Sequence, residues 1–333
     1  MPASKSDLPV FLEESTNNGQ CRKLKAIVLG NGPSLRGFDF RRLSKFDVFG
    51  MNAAYRYWYG IDWFPQYYSC LDFVVGASHR NAIIELIQNS DRLGIRRFLL
   101  RQSLVENLGD LASSPKVFNF DLLRSEFTCW NTGPVTTGSH TCGWATILGY
   151  KNIYLLGVDC NYVEIVPHAI QRDSSVLEII SDAPNPNYFF NDYQKKGDKY
   201  NIPNPRKDLH IESWRNVSTK LPSNCRVLNT NWHSKVDAFD FVGFDDVERG
   251  GTVPVFSFLQ VNGDTPFDSP VDFVYVPRNK AIDACLPTPI PAGQNPISEN
   301  LKEFPSIFAY DDEWCTSNFT EKNALSQAVK LLP

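Results

Sequence analysis

The chain has 333 residues, 42% hydrophobic and 21% charged, with a formal net charge of -4. That balance excludes a disordered polyelectrolyte and suits a soluble protein with a substantial core, and without a global basic field nucleic acid is not an expected partner. The 8 cysteines contain no C-x-x-C pair, which points to reduced thiols in a cytoplasmic protein.

Residues 1–23 are polar and are expected to form a flexible N-terminus without an apolar signal core. From Lys25 short apolar runs alternate with helical stretches. Strands are expected at 26–30, 46–51, 65–71, 96–100, 116–120, 152–158 and 225–229, and helices at 79–90, 138–149 and 210–221. Short apolar strands separated by helices predict an α/β fold over 24–243. The expected form is Rossmann-like: a doubly wound, mostly parallel sheet with helices on both faces. The basic, aromatic stretch within about 160–209 lacks helical or strand periodicity and is read as a lid over a site. "DDVERGGT" reads as a linker, and 244–333 as a small C-terminal appendage with strands in "VPVFSFLQV" and "VDFVYV". No window approaches the roughly 18 apolar residues of a membrane span. Peripheral association with the inner face of a cell membrane stays open.

The first strand runs into a glycine turn, "AIVLGNGPSL", whose backbone N–H groups are of the kind that hold phosphate. Gly30, Asn31, Gly32, Pro33 and Ser34 are therefore candidate ligand-binding residues. The turn is not a dinucleotide fingerprint, because Leu35 stands where a third glycine is needed. The second strand ends on Asn52, where NAD requires an acid. A P-loop is absent as well. Ligands of open parallel sheets gather at the carboxyl ends of strands, so Asn52 and Asp72 are expected beside Asn31. Asparagine amides both donate and accept, which suits a sugar or a base edge. Thr136, Thr137, Gly138 and Ser139 open a helix and form a second anion-friendly site, although capping explains Thr137 or Ser139 equally well. Asp159 is a further polar strand end. No Asp-x-Asp pair occurs, so the usual metal–diphosphate clamp of many glycosyltransferases is missing.

The blocks "IVLGNGPSL", "FDVFGMN" and "TTGSHTCGWATILGYKNIYLLGVD", with a late histidine ahead of a helix, resemble the bacterial sialyltransferases of glycosyltransferase family 42. They also resemble the wider group with a domain like the archaeal 6-hydroxymethylpterin pyrophosphokinase. The resemblance covers about 24–240. It implies transfer of an acidic sugar (sialic acid, Kdo or a related one) from a CMP-activated donor to a glycan acceptor, inverting and metal-independent, with no further cofactor. In bacteria such transfers build surface polysaccharide. Carried over by position, Asn31 and Asn52 contact the nucleotide, Thr137 and Gly138 contact the donor, and His210 in "KDLHIESWRN" is the general base. The family's first phosphate-stabilising tyrosine falls on Asn161, with Tyr162 beside it; Tyr188, Tyr193 and Tyr200 are candidates for the rest. Lys195, Lys196, Arg206 or Arg215 are candidates for the sugar carboxylate, and His140 rivals His210. Two other readings stay open. One is a pterin-type pyrophosphokinase using ATP and Mg, with Asp72 and Asp159 as metal ligands. The other is a non-catalytic nucleotide-sugar-binding domain of a glycan assembly protein.

Overall fold

The computed structural model describes residues 25–163, 165–202 and 208–249, together with the backbone of 256–260 and 273–277. The chain divides into units of residues 1–239 and 240–333. In the first unit the strands are β1 (Lys25–Leu29), β2 (Asp47–Met51), β3 (Tyr67–Cys70), β4 (Arg97–Leu100), β5 (Val117–Asn119), β6 (Asn152–Leu156), β7 (Ala169–Gln171), β8 (Val176–Ile179), β9 (Lys199–Asn201) and β10 (Arg226–Asn229). Its α-helices are α1 (Tyr55–Ile61), α2 (Phe73–Ser78), α3 (Arg80–Gln88), α4 (Ser90–Leu93), α5 (Gln102–Val105), α6 (Phe120–Leu123), α7 (Thr137–Ile147) and α8 (Leu209–Ser218).

Seven strands form one parallel sheet in the order β10-β6-β1-β2-β3-β4-β5. These are the seven apolar runs of the sequence. They lack polar–apolar alternation because the sheet is covered on both faces, as in β2, where every residue is buried. The chain winds outward from β1 to β5, then returns to lay β6 and β10 on the other side of β1. The switch point between β1 and β6 therefore opens a crevice at the carboxyl ends of the strands. Below it the core is aromatic. The rings of Phe49 and Tyr67 stack with centroids 4.3 Å apart, and Trp144 of α7 meets both edge-on at 5.5 Å. Helix α7 is buried on nearly all sides, which explains its lack of amphipathic patterning.

The loops after β1 and β6 are tied together. Gly30 N donates to Leu156 O (2.7 Å) and Gly32 N to Gly157 O (2.9 Å). A Cβ on Gly30 would lie 2.2 Å from Gly157 O, closer than any real contact. Gly30→Ala is therefore expected to destabilise the fold by about 1–3 kcal/mol, the usual range for overpacking, as read by urea unfolding; unchanged stability would show that this approach is not tight.

Two sequence expectations change. The lid region is not free of strands: β7, β8 and β9 form a three-stranded antiparallel sheet within 160–209. Each strand has only 3 or 4 residues, too few to display a period of two. The β7–β8 turn is built by Asp173, whose Oδ1 accepts from Ser175 N and Val176 N at 2.8 Å. Leu177, Ile179, Tyr200, Val166 and Ala169 give this sheet its own apolar cluster. The second correction is the linker. "DDVERGGT" begins inside a helix, α9 (Phe244–Arg249), with Asp245 and Asp246 in the first turn and Arg249 in the last. Those charges complement the helix dipole, and Arg249 pairs with Asp246 at i,i+3. In the same unit β11 (Phe256–Gln260) and β12 (Phe273–Pro277) pair antiparallel; β11 lies within its expected run, and β12 overlaps its own and ends one residue beyond it. The expected flexible N-terminus, 1–23, lies outside the described residues, as does most of 244–333. Among the described residues no helix is long and apolar enough to cross a membrane.

Candidate functional site

A cavity of about 360 Å³ opens above the carboxyl ends of β1, β2, β3, β4 and β6. The starts of α7 and α8 and the segment 187–202 complete its wall. Asn31, Asn52 and Asp72 all line it, as the strand-end rule requires. Asn52 has φ 54°, a left-handed conformation that asparagine tolerates better than most residues, and its carbonyl accepts from Tyr68 OH at 2.9 Å. Asn31 Nδ2 donates to Tyr193 OH (3.1 Å) and Met51 O (3.4 Å), which fixes the amide's orientation. The Oδ1 atoms of both asparagines are buried with no hydrogen-bond partner among the described residues. Each such orphan costs about 1–3 kcal/mol unless a ligand donates to it.

The glycine turn lines the cavity through Gly30, Asn31, Gly32 and Pro33 and also ties β1 to β6. Gly30 N, Gly32 N, Leu35 N and Arg36 N all donate to backbone carbonyls, and Pro33 has no N–H. Ser34 N donates to Asp159 Oδ2 at 2.8 Å, and Ser34 Oγ donates to Asp159 Oδ1. Only a 3-10 turn, Pro33–Leu35, follows, so no helix dipole supports a phosphate there. The turn clasps β1 to β6, and of its five candidate residues Ser34 is the one turned onto Asp159 and away from the cavity wall. A Cβ on Gly32 would fall 2.4 Å from Asp159 Cγ, so glycine is needed for this approach. Asn231 Nδ2 also donates to Asp159 Oδ1 (2.7 Å). Both carboxylate oxygens are thus engaged by the protein.

The anion-friendly end of the cavity is the start of α7. Its first-turn N–H groups have no intrahelical acceptor, and Thr136 supplies no side-chain cap. Thr137 and Gly138 line the cavity. Thr137 Oγ1 accepts from Leu71 N (3.1 Å), and Gly138 makes room for Trp214, which would lie 3.1 Å from a Cβ. Ser139 does not reach the cavity. It is fully buried, with Oγ 2.6 Å from Ser213 Oγ in a hydroxyl cluster that joins α7 to α8.

His210, the second residue of α8, lines the cavity with its ring 4.9 Å from that of Tyr162. His140 is excluded as its rival: it has 0% exposure and packs edge-on against Phe120 at 5.4 Å. Burial pulls its pKa down to about 4. Asn161 lines the cavity, and its Nδ2 donates to His233 O at 2.9 Å. Tyr188, Tyr193 and Tyr200 lie in the wall as well, the first two stacked with centroids 3.7 Å apart. Burial pushes the Tyr200 phenol up to about 12 and raises the other two. All three are neutral O–H donors near pH 7, and Tyr200 OH is buried without a partner among the described residues. Asp72 caps α2 through Val74 N and Val75 N and accepts from Asn201 Nδ2 (2.9 Å), so it also anchors β9.

The cations proposed for a carboxylate mostly lie elsewhere. Arg215 pairs with Asp237 at the surface, Lys195 lies 3.7 Å from Asp192, and neither they nor Lys196 line the cavity. Arg206 is outside the described residues. Instead Arg101 and Lys199 reach the wall, as does His79. Arg101 directly follows β4, so the strand-end argument that selects Asn52 and Asp72 selects it too.

Fold and cavity together define a Rossmann-like α/β domain with a pocket at its switch point. No protein family matches the chain, and no curated protein does. Among solved structures it is similar to the sialyltransferase CST-II in complex with trisaccharide acceptor and CMP, at 21% identity over 65% of this chain and 84% of that one, TM-score 0.39. CstII from Campylobacter jejuni with the substrate analogue CMP-3FNeuAc is 20% identical over 65% and 84%, TM-score 0.39. The MAf glycosyltransferase from Magnetospirillum magneticum AMB-1 is 16% identical over 63% of this chain and 32% of that one, TM-score 0.36.

Proposed function

We propose that the chain is a glycosyltransferase that moves an acidic sugar, sialic acid, Kdo or a related one, from a CMP-activated donor to a glycan acceptor of a bacterial surface polysaccharide. The observation that carries this reading is the pair of orphaned amide oxygens, Asn31 Oδ1 and Asn52 Oδ1, in one cavity with the uncapped start of α7. Two buried acceptors call for a ligand bearing N–H or O–H donors, as a nucleoside does. The helix N-terminus suits its phosphate.

In this reading His210 takes the proton of the acceptor hydroxyl as its oxygen attacks the anomeric carbon. The new C–O bond forms as the bond from that carbon to the phosphate oxygen breaks, and CMP leaves with the electron pair. A phosphate leaves without a general acid. In this reading the α7 N–H groups and the neutral phenols of Tyr188, Tyr193 and Tyr200 hydrogen-bond the charge that gathers on it. No metal is assigned a role. The pyrophosphokinase reading is disfavoured because Asp159, one of its two expected metal ligands, already accepts from Ser34 and Asn231.

Thermal unfolding against CMP, UMP, GMP, AMP and NAD tests the assignment. CMP at a hundredfold excess over its Kd is expected to stabilise the protein by about 2.7 kcal/mol. Stabilisation by AMP or NAD without CMP would overturn the reading. Asn31→Ala and Asn52→Ala are each expected to weaken CMP binding by about 2- to 12-fold, the worth of one neutral hydrogen bond of about 0.5–1.5 kcal/mol. Calorimetric titration of each variant checks this, and undiminished affinity in both would place the base elsewhere.

A further inference from the structure

Arg101 is a cation with too few partners for its burial. The residue is only 9% exposed, and its Nε and Nη1 atoms are buried without a hydrogen bond among the described residues. Its one ion pair among the described residues, Nη1 to Asp121 Oδ1, is long at 3.3 Å. That carboxylate is shared, since Asp121 Oδ2 accepts from Gln102 N at 2.8 Å. The guanidinium lies over the ring of Phe73 at 4.0 Å from its centroid, and both residues line the cavity. Phe73 is 53% exposed, unusual for a phenylalanine, and it holds the guanidinium in place by a cation–π contact. Desolvation lowers the pKa of Arg101, which Asp121 and Asp72 only partly offset.

Position adds to this. Arg101 N donates to Cys70 O at the end of β3, and the next residue, Leu71, donates to Thr137 Oγ1 at the start of α7. Arg101 therefore sits one strand beyond the helix end assigned to the phosphate. Asn31 and Asn52 follow β1 and β2, on the other side of β3. An incompletely paired guanidinium at that place calls for a planar oxyanion, which it meets with two parallel hydrogen bonds.

We infer that Arg101, seated on Phe73, is the residue that binds the carboxylate of the donor's sugar and so selects acidic sugars over neutral ones. This rests on the CMP-sugar reading above. It replaces the surface cations Lys195, Lys196 and Arg215 in that role.

The experiment compares calorimetric binding of CMP and of CMP-N-acetylneuraminate to wild type, Arg101→Gln and Arg101→Lys. Arg101→Gln/Asp121→Asn is included so that an unpaired Asp121 does not decide the outcome through misfolding, and circular dichroism verifies that each variant is folded. Arg101→Gln and the double variant are expected to keep the wild-type affinity for CMP. They should lose about 10- to 100-fold for the CMP-sugar, as for a hydrogen bond to a charged group. Arg101→Lys is expected to recover part of that loss, because it restores charge without the planar fork. Equal affinity of wild type and both glutamine variants for the CMP-sugar would overturn the inference and leave the nucleotide assignment standing. A wild-type protein that binds neither compound would remove the assignment and the inference with it.

Discussion

His210→Ala is expected to lower the rate of sugar transfer by about 10²–10⁴-fold, the usual worth of a general base, while CMP still binds. The five histidines are not equivalent. His140 is sealed in the core beside Phe120. His79 reaches the cavity wall, but its Nδ1 is 2.7 Å from Tyr55 OH, and burial pulls its pKa down to about 4. A base that weak is poorly matched to chemistry near neutrality. His168 is buried and outside the cavity wall, and His233 is outside it as well. His210 alone combines cavity placement with a partly open ring, steadied by Tyr162 at 4.9 Å. The check is a transfer assay on CMP-N-acetylneuraminate with a lactose-type acceptor, run beside CMP titration of the same variant. Full transfer by His210→Ala would remove the histidine from the mechanism. Loss of transfer together with loss of CMP binding would instead make His210 part of the nucleotide subsite.

The parts of this site legible in the sequence are those set by local rules. Each of the seven parallel strands is a short apolar run, so its end can be read directly. Asn31, Asn52 and Asp72 follow from those ends, and all line the cavity. What stayed hidden depends on partners far along the chain. Ser34 looks like a ligand-facing hydroxyl of the glycine turn until Asp159, 125 residues later, is seen to accept from it. Ser139 looks like a helix-start hydroxyl aimed at a ligand until Ser213, 74 residues away, is found bonded to it. The small lid sheet stayed hidden because β9 joins β8 across a segment that contains Tyr188 and the 3-10 helix Asn191–Tyr193. Arg101 was legible by the same rule as Asn52. Only its burial and its seat on Phe73 distinguish it from an ordinary surface arginine.

Acid is expected to unfold the domain well above the pH at which its carboxylates protonate, because two histidines are buried in neutral form. Burial moves His79 and His140 from a reference pKa of 6.5 down to about 4 in the folded chain. Between those values the unfolded chain binds protons that the folded one refuses, so stability rises with pH there. The contribution is complete above about pH 6.5 and is lost as pH falls toward 4. Each histidine contributes on the order of 3 kcal/mol over that window, a sizeable share of a typical domain's stability. His140 Nδ1 lies 3.2 Å from Thr136 O, an acceptor that favours the charged ring, but burial outweighs it. Urea unfolding at a series of pH values from 7.5 to 4.5 measures the effect, with His140→Gln as comparison. The wild type should lose several kcal/mol across the series, and the variant, whatever its stability at pH 7.5, should show a shallower slope by close to one proton. A wild-type profile that is flat over this range, or a variant slope equal to it, would show that His140 protonates as freely in the fold as outside it.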